Sequence, residues 1–217
     1  MNKVFIVAAH PDDEVLGCGA TIAKYTQNGD EVQVVFIADG FGSREDGKNR
    51  DNLALQASCV LGCNRPIFLN FPDNRLDTVP FLDVVQNIEN LIYDFKPNII
   101  YIHHIGDLNI DHQITHKAVM TACRPQPESF IQEIYAFEVL SSTEWQTPGY
   151  LSFSPNVYVD VSDQVETKQK ALQVYSDEMR NQPHSRSIDN SIRLTKVRGA
   201  TVGLDYAEAF MLLRKVG

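Results

Sequence analysis

The chain has 217 residues, of which 43% are hydrophobic and 22% charged, the balance of one soluble globular domain large enough to bury a full core. A net charge of −9 argues against a nucleic-acid partner, which needs a basic face, but not against an anionic substrate, because a bound metal dominates its local field. No apolar run approaches the roughly 20 residues that span a bilayer, so no membrane segment is expected, and the start Met1-Asn2-Lys3-Val4-Phe5-Ile6 lacks a signal-peptide pattern.

Strands and helices alternate along the chain. The short apolar run 4–8, closed by Pro11, predicts a buried parallel strand. Helical spacing over 17–27 stops at Gly29, and the β-branched run 32–38 predicts a second strand, with a loop over 39–43. A helix over 45–61 closes at Gly62, a short strand covers 66–69, and a loop covers 70–75. Phe81, Leu82, Val85, Ile88 and Ile92 give 79–95 the spacing of a helix. Residues 98–102 form another buried strand, and a polar loop leads to a helix over 111–122, ended by Arg124-Pro125. The last third is less regular. It carries strands over 134–139 and 157–161, helices over 163–180 and 191–199, a loop over 182–187, and a closing strand or short helix over 206–213. The fold class is therefore α/β: a Rossmann-like, mostly parallel sheet with helices on both faces, the C-terminal part capping the cleft. No linker divides 1–217. Cys18, Cys59, Cys63 and Cys123 are dispersed and read as reduced packing residues, consistent with a reducing cytoplasm, the expected location.

Ala9-His10-Pro11-Asp12-Asp13-Glu14 follows the first strand directly, at its carboxyl end, where open α/β sheets place their sites. One imidazole and three carboxylates fall within five residues there. Packing does not ask for that; a divalent cation and a general base do. Four of the six histidines lie in 103–116, a block that starts at the carboxyl end of the strand 98–102. If the two strands are neighbours, the clusters converge. A catalytic zinc keeps three protein ligands and one open position for water. His10 and Asp13, three apart around a turn, can supply two. His112, beside Asp111 at a helix start, is the choice for the third. Asp12 is then left beside the metal, placed to accept a proton from water whose pKa the metal lowers. The bland alternatives are an acidic turn capping the next helix and a set of surface and core histidines. His103 and His104 face opposite ways at a strand end, and His116 shares the His112 face as ligand, supporting group or cleft wall.

The first motif and Asp111-His112 resemble the PIG-L/LmbE family of metal-dependent N-deacetylases. So do Arg50 with Leu61-Gly62, Pro72-Asp73 with Leu76, Arg124-Pro125, and Arg198-Gly199 with Ala207-Glu208-Ala209-Phe210, nearly end to end. The resemblance implies a single deacetylase domain over 1–217 and hydrolysis of an N-acetyl amide on an N-acetylglucosamine-type amino sugar, releasing acetate and the free amine. It implies His10, Asp13 and His112 as metal ligands and Asp12 as general base, the four positions that spacing also reached. The metal is divalent, with zinc first and iron(II) or cobalt as alternatives for the same donors. One position departs. Many members carry histidine three residues before the last ligand, where this chain has Asn109. An amide donates a hydrogen bond to an oxyanion but carries no proton or charge. Either Asn109 takes that milder catalytic role or a nearby histidine substitutes, and His104 shares with Asp12 the candidacy for protonating the departing amine.

Arg44, Arg50, Asp73, Asn74 and Arg75 lie on or near strand-end loops and are candidates for binding sugar hydroxyls, with surface or ion-pair roles as the plain alternative. Trp145 reads as packing before sugar stacking. His184 and Arg186 stand in a polar loop that reads as solvated, with a contact to a substrate phosphate or carboxylate as the second reading. Glu208, inside an apolar run, needs a buried partner and reads first as half of a salt bridge. The expected partner is a small amino-sugar conjugate; a homo-oligomer is left open. Two other classes carry less. A nucleotide-binding sheet is disfavoured because Gly17-Cys18-Gly19 lacks the third glycine and follows an acidic stretch. A non-catalytic metal-binding module, or a hydrolase of another amide, remains as the alternative function, and the extra carboxylate of Asp12 argues against the first of these.

Overall fold

The computed structural model describes residues 1–39 and 50–217. The predicted loop and helix across 40–49, and with them Arg44, lie outside the described residues. The strands are β1 (Lys3–Ala8), β2 (Glu31–Ala38), β3 (Ile67–Phe71), β4 (Ile99–His103), β5 (Glu133–Phe137), β6 (Val157–Asp160) and β7 (Ala207–Lys215). The α-helices are α1 (Asp13–Gln27), α2 (Arg50–Leu61), α3 (Phe81–Phe95), α4 (Ile110–Ala122), α5 (Val165–Val174) and α6 (Ile188–Thr201).

The sheet runs β3-β2-β1-β4-β5-β7-β6, parallel through β5 and antiparallel where β7 joins β5 and β6. Both faces are covered, which explains the unbroken apolar runs. Val4, Ile6 and Ala8 pack on the side of α1, α2 and α5, whereas Phe5 and Val7 pack on the side of α3 and α4. The order reverses between β1 and β4, with Val7 beside Ile102. Such a switch point opens a crevice at the carboxyl ends of the strands. The two polar clusters leave the sheet there, so they do converge.

Two helices differ most from their sequence-based expectation. First, α1 starts at Asp13 rather than 17 and is kinked at Cys18 (φ −146°, ψ 23°). The kink frees backbone groups, and a buried ion pair takes them up. Glu208 accepts from Ala20 N–H (3.1 Å) and Thr21 N–H (2.7 Å), while Lys168 Nζ donates to Leu16 O (2.9 Å) and to Glu208 Oε1 (2.6 Å). Glu208 is thus the half salt bridge expected of it. At the same bend, a Cβ on Gly17 would collide with the Phe137 ring, so only glycine allows this approach. Second, α5 ends at Val174 rather than 180, because Tyr175 turns its hydroxyl inward to Glu14. The closing segment, expected as a strand or a short helix, is a nine-residue strand that extends the sheet. The C-terminal third therefore both widens the sheet and, through Glu178 and Arg186, walls the cleft. All four cysteines are free; Cys18 and Cys123 are buried and Cys63 packs against the core as expected, whereas Cys59 is exposed.

Candidate active site

Asp13 is the first residue of α1, and the turn before it brings His10 back onto it. His10 N–H donates to Asp13 Oδ2 at 2.9 Å, and His10 Nδ1 lies 3.3 Å from the same oxygen. His112, the third residue of α4, places Nε2 3.2 Å from Asp13 Oδ2. All three side chains are buried, and their ligand atoms lie within 4.8 Å of one another. Among the described residues, His112 Nε2 and Asp13 Oδ1 nevertheless make no aligned hydrogen bond. Buried polar atoms that sit close without pointing at one another are what a common ion between them requires. The residues present therefore fit a divalent metal.

The electrostatics agree. Burial alone would push the His112 imidazolium down, but Asp13 and Asp107 raise its pKa to about 9. Burial likewise opposes the charge on His10, yet Asp111, Asp13 and Asp73 raise it well above the ordinary value. Asp13 is held well below the carboxylate range: burial raises it, and His112, His10 and His103 outweigh that. A field that retains protons on two buried histidines is one that a dication can occupy in their place.

Each of the two candidate histidine ligands has a supporting group. His10 Nε2 lies 3.1 Å from Asp111 Oδ2 and 3.1 Å from Asp73 Oδ1. Asp111 is itself fixed by Asn74 N–H (2.7 Å) and Leu76 N–H (3.0 Å). His10, Asp73 and Asp111 form a second group with metal-ligand spacing. Because Asp111 is already committed to two backbone donors, that group reads as the carboxylate support that turns His10 Nδ1 towards Asp13. His112 Nδ1 faces Asp107 Oδ1 at 3.1 Å. Asp107 also accepts from Asn109 N–H (2.9 Å), Thr143 Oγ1 (2.6 Å) and Ser142 Oγ. Burial would raise the Asp107 carboxyl, but His112 and these bonds lower it to about 2. His103 stacks on His112 with centroids 3.9 Å apart and accepts from Ala9 N–H (2.8 Å), so it walls the His112 ring.

A cavity of about 120 Å³, almost wholly polar in its lining, opens over His10 and Asp13. Asp12 lines it without belonging to either group of metal-ligand spacing. Burial pushes the Asp12 carboxyl up to about 6, against the pull of Arg186. Of the residues expected to bind sugar, Arg50, Asp73 and Asn74 line this cavity, and Arg50 is paired with Glu178 at 3.1 Å. Arg75 is not brought to it: the residue is exposed, and its carbonyl accepts from Thr78 in the 3₁₀ turn Leu76–Thr78. His104 is not brought to it either. Its Nε2 bonds Leu151 O at 2.5 Å and its ring meets Phe153, on the side of the strand end away from His103. Asn109 does line the cavity, but its Oδ1 is the N-cap of α4, accepting from Asp111 N–H at 2.8 Å. The structure adds two residues that sequence reasoning did not place at the site, Asp107 and Glu178, and it brings Arg186 to the cavity from its loop.

A family model described as PIG-L, GlcNAc-PI de-N-acetylase, matches residues 5–123, more than half of the chain. The chain belongs to the PIG-L family. It is 30% identical over 166 residues to the uncharacterized deacetylase YaiS of Escherichia coli (strain K12), covering 74% of this chain and 83% of that protein. It is 27% identical over 201 residues to the diacetylchitobiose deacetylase of Thermococcus kodakarensis, covering 82% and 70%. Among solved structures, GalB, the 4-carboxy-2-hydroxymuconate hydratase of Pseudomonas putida KT2440, superposes with a TM-score of 0.81 at 19% identity, covering 100% of this chain and 98% of that one. That likeness shows the fold alone, and the reaction must be argued from the site.

Proposed function

We propose that the protein is a metal-dependent N-deacetylase that hydrolyses the N-acetyl amide of an N-acetylglucosamine-type amino sugar to acetate and the free amine. The observation that carries this reading is Asp12, a buried carboxylate in the same polar cavity as His10 and Asp13 that is not one of the clustered ligands. A protein that only stores or senses a metal has no use for it. The diacetylchitobiose deacetylase among the relatives supports the amino-sugar class.

His10, Asp13 and His112 would hold a divalent metal, zinc in this reading, which supplies Lewis-acid polarisation of the acetyl carbonyl and a lowered pKa for water. Asp12 takes the proton of the attacking water. A carboxyl raised to about 6 by burial both accepts a proton and gives it back near neutral pH, so Asp12 also returns it to the leaving amine. His104, bonded to Leu151, is left out of this transfer. Asn109 Nδ2 makes a long contact, 3.4 Å, to Asn74 Oδ1, and exchanges it for the developing oxyanion. Arg50, Asp73 and Asn74 offer donors and acceptors to sugar hydroxyls, and the polar lining suits a sugar rather than a long acyl chain. Free cysteines fit a cytoplasmic enzyme acting on a small soluble conjugate.

Free-amine release from N-acetylglucosamine as the free sugar, UDP-linked, glycosidic and lipid-linked, with chelated, zinc-loaded and iron-loaded protein, tests this. Metal-dependent release from at least one member is expected. No release from any, with metal stoichiometrically bound, overturns the reading.

A further inference from the structure

Arg186 reaches the cavity from the loop before α6, 174 residues beyond Asp12 in sequence. Its main chain is pinned on both sides. Arg186 N–H donates to His184 Nδ1 (3.1 Å), Arg186 O accepts from Arg180 N–H (3.0 Å), and the adjacent Ser187 caps α6 by accepting from Asn190 N–H (3.2 Å). The guanidinium then forks: Nε donates to Ser141 Oγ at 2.8 Å, and Nη1 donates to Asp12 Oδ2 at 3.1 Å. Asp12 is held from behind as well. Its backbone has φ 116° and ψ −30°, a region that non-glycine residues rarely occupy and that persists only where the surroundings over-determine it. Asp12 N–H donates to Glu14 Oε2 (2.9 Å), and Glu14 Oε1 accepts from Tyr175 OH (2.8 Å).

We propose that Arg186 is a positioning residue for Asp12. Braced on Ser141, its fork fixes the rotation of the Asp12 carboxylate: Oδ2 is taken up by Nη1, and the other oxygen is turned to the water to be deprotonated. The inference rests on the reading of Asp12 as general base. It also gives the C-terminal segment a task in catalysis, since the group that aims the base comes from the chain between α5 and α6. Lysine cannot replace it, because a single ammonium on a flexible stem does not brace on Ser141 and hold Asp12 with fixed planar geometry. A substrate anion is the wrong partner, since it would compete with Asp12 for the same guanidinium.

The test compares Arg186→Ala, Arg186→Lys and Asp12→Asn in the zinc-loaded protein, on whichever N-acetylglucosamine conjugate the wild type turns over. Arg186→Ala is expected to lower kcat about 10²-fold, the cost of a reacting group misplaced by about 1 Å, with KM and zinc content unchanged. Arg186→Lys is expected to behave like Arg186→Ala. Guanidinium chloride at non-denaturing concentration is expected to restore kcat in Arg186→Ala and to do nothing for Asp12→Asn. Wild-type kcat in either Arg186 variant, or a raised KM at intact kcat, overturns the inference. If Arg186→Ala folds poorly, Arg186→Lys carries the same decision. An active Asp12→Asn overturns the base reading itself; an inactive Asp12→Asn beside fully active Arg186 variants overturns this inference alone.

Discussion

His10 Nε2 and Asp111 Oδ2 lie 3.1 Å apart, and this contact ties the loop after β1 to the first turn of α4. Two segments 101 residues apart in sequence are thereby fixed at one end of the sheet. Asp111 does this from a rigid seat, since Asn74 and Leu76 N–H groups hold its carboxylate.

The first prediction concerns that seat. Asp111→Asn keeps the shape and weakens the acceptor facing His10, so metal affinity should fall about 10–100-fold while the fold is retained. Competition against a chromophoric chelator measures it, with circular dichroism as the control. Unchanged affinity would remove Asp111 from the support of the site.

The second concerns protons. His112 is raised to about 9 and His10 is raised as well, so both carry protons at neutral pH in the metal-free protein. Ligation needs neutral imidazole. Metal binding at pH 7 should therefore release between about one and two protons, and affinity should climb with pH through about 9, where His112 loses its proton. The sign for stability follows from the raised pKa: in the metal-free protein the His112 charge stabilises the fold below its ordinary value of 6.5, and that contribution is lost as pH rises through about 9. Titration calorimetry in buffers of different ionisation enthalpy counts the protons; a buffer-independent heat would contradict the assignment.

The third concerns the kink in α1. Lys168 and Glu208 are each 2% exposed in their side chains and are joined at 2.6 Å. Lys168→Met leaves the Glu208 charge buried without its cation and should cost about 3–5 kcal/mol. Lys168→Met with Glu208→Gln should recover part of that loss, because the neutral amide still accepts from one of the freed N–H groups. Urea unfolding decides, and a cost below about 1 kcal/mol for Lys168→Met would show the pair to be dispensable.

Much of this architecture was legible in the chain. The apolar runs that became β1 and β4 are unbroken because both sheet faces are covered, and the motifs at their carboxyl ends are local, so His10, Asp12, Asp13 and His112 could be picked out. What escaped depends on tertiary contacts. Asp107 looks like any loop aspartate until Ser142 and Thr143 arrive to hold it. Glu178 and Arg186 reach the cavity only through the path of the chain after α5. The kink at Cys18 is set by Glu208 from the last strand. Consecutive strand-end residues face opposite ways, as the sequence implies, and it is His103 that stacks on His112 while His104 bonds Leu151 O. Asn109 carried a readable signal, since asparagine two residues before Asp111 at a helix start is an N-cap.

The most direct test is the initial rate of free-amine release by zinc-loaded wild type and zinc-loaded Asp12→Asn, with the metal content of both measured. Asp12→Asn should bind metal like the wild type and lose on the order of 10²–10⁴-fold in rate. Equal rates at equal metal content would contradict the account, because they would leave the buried carboxylate beside the His10–Asp13–His112 cluster without a part in the chemistry.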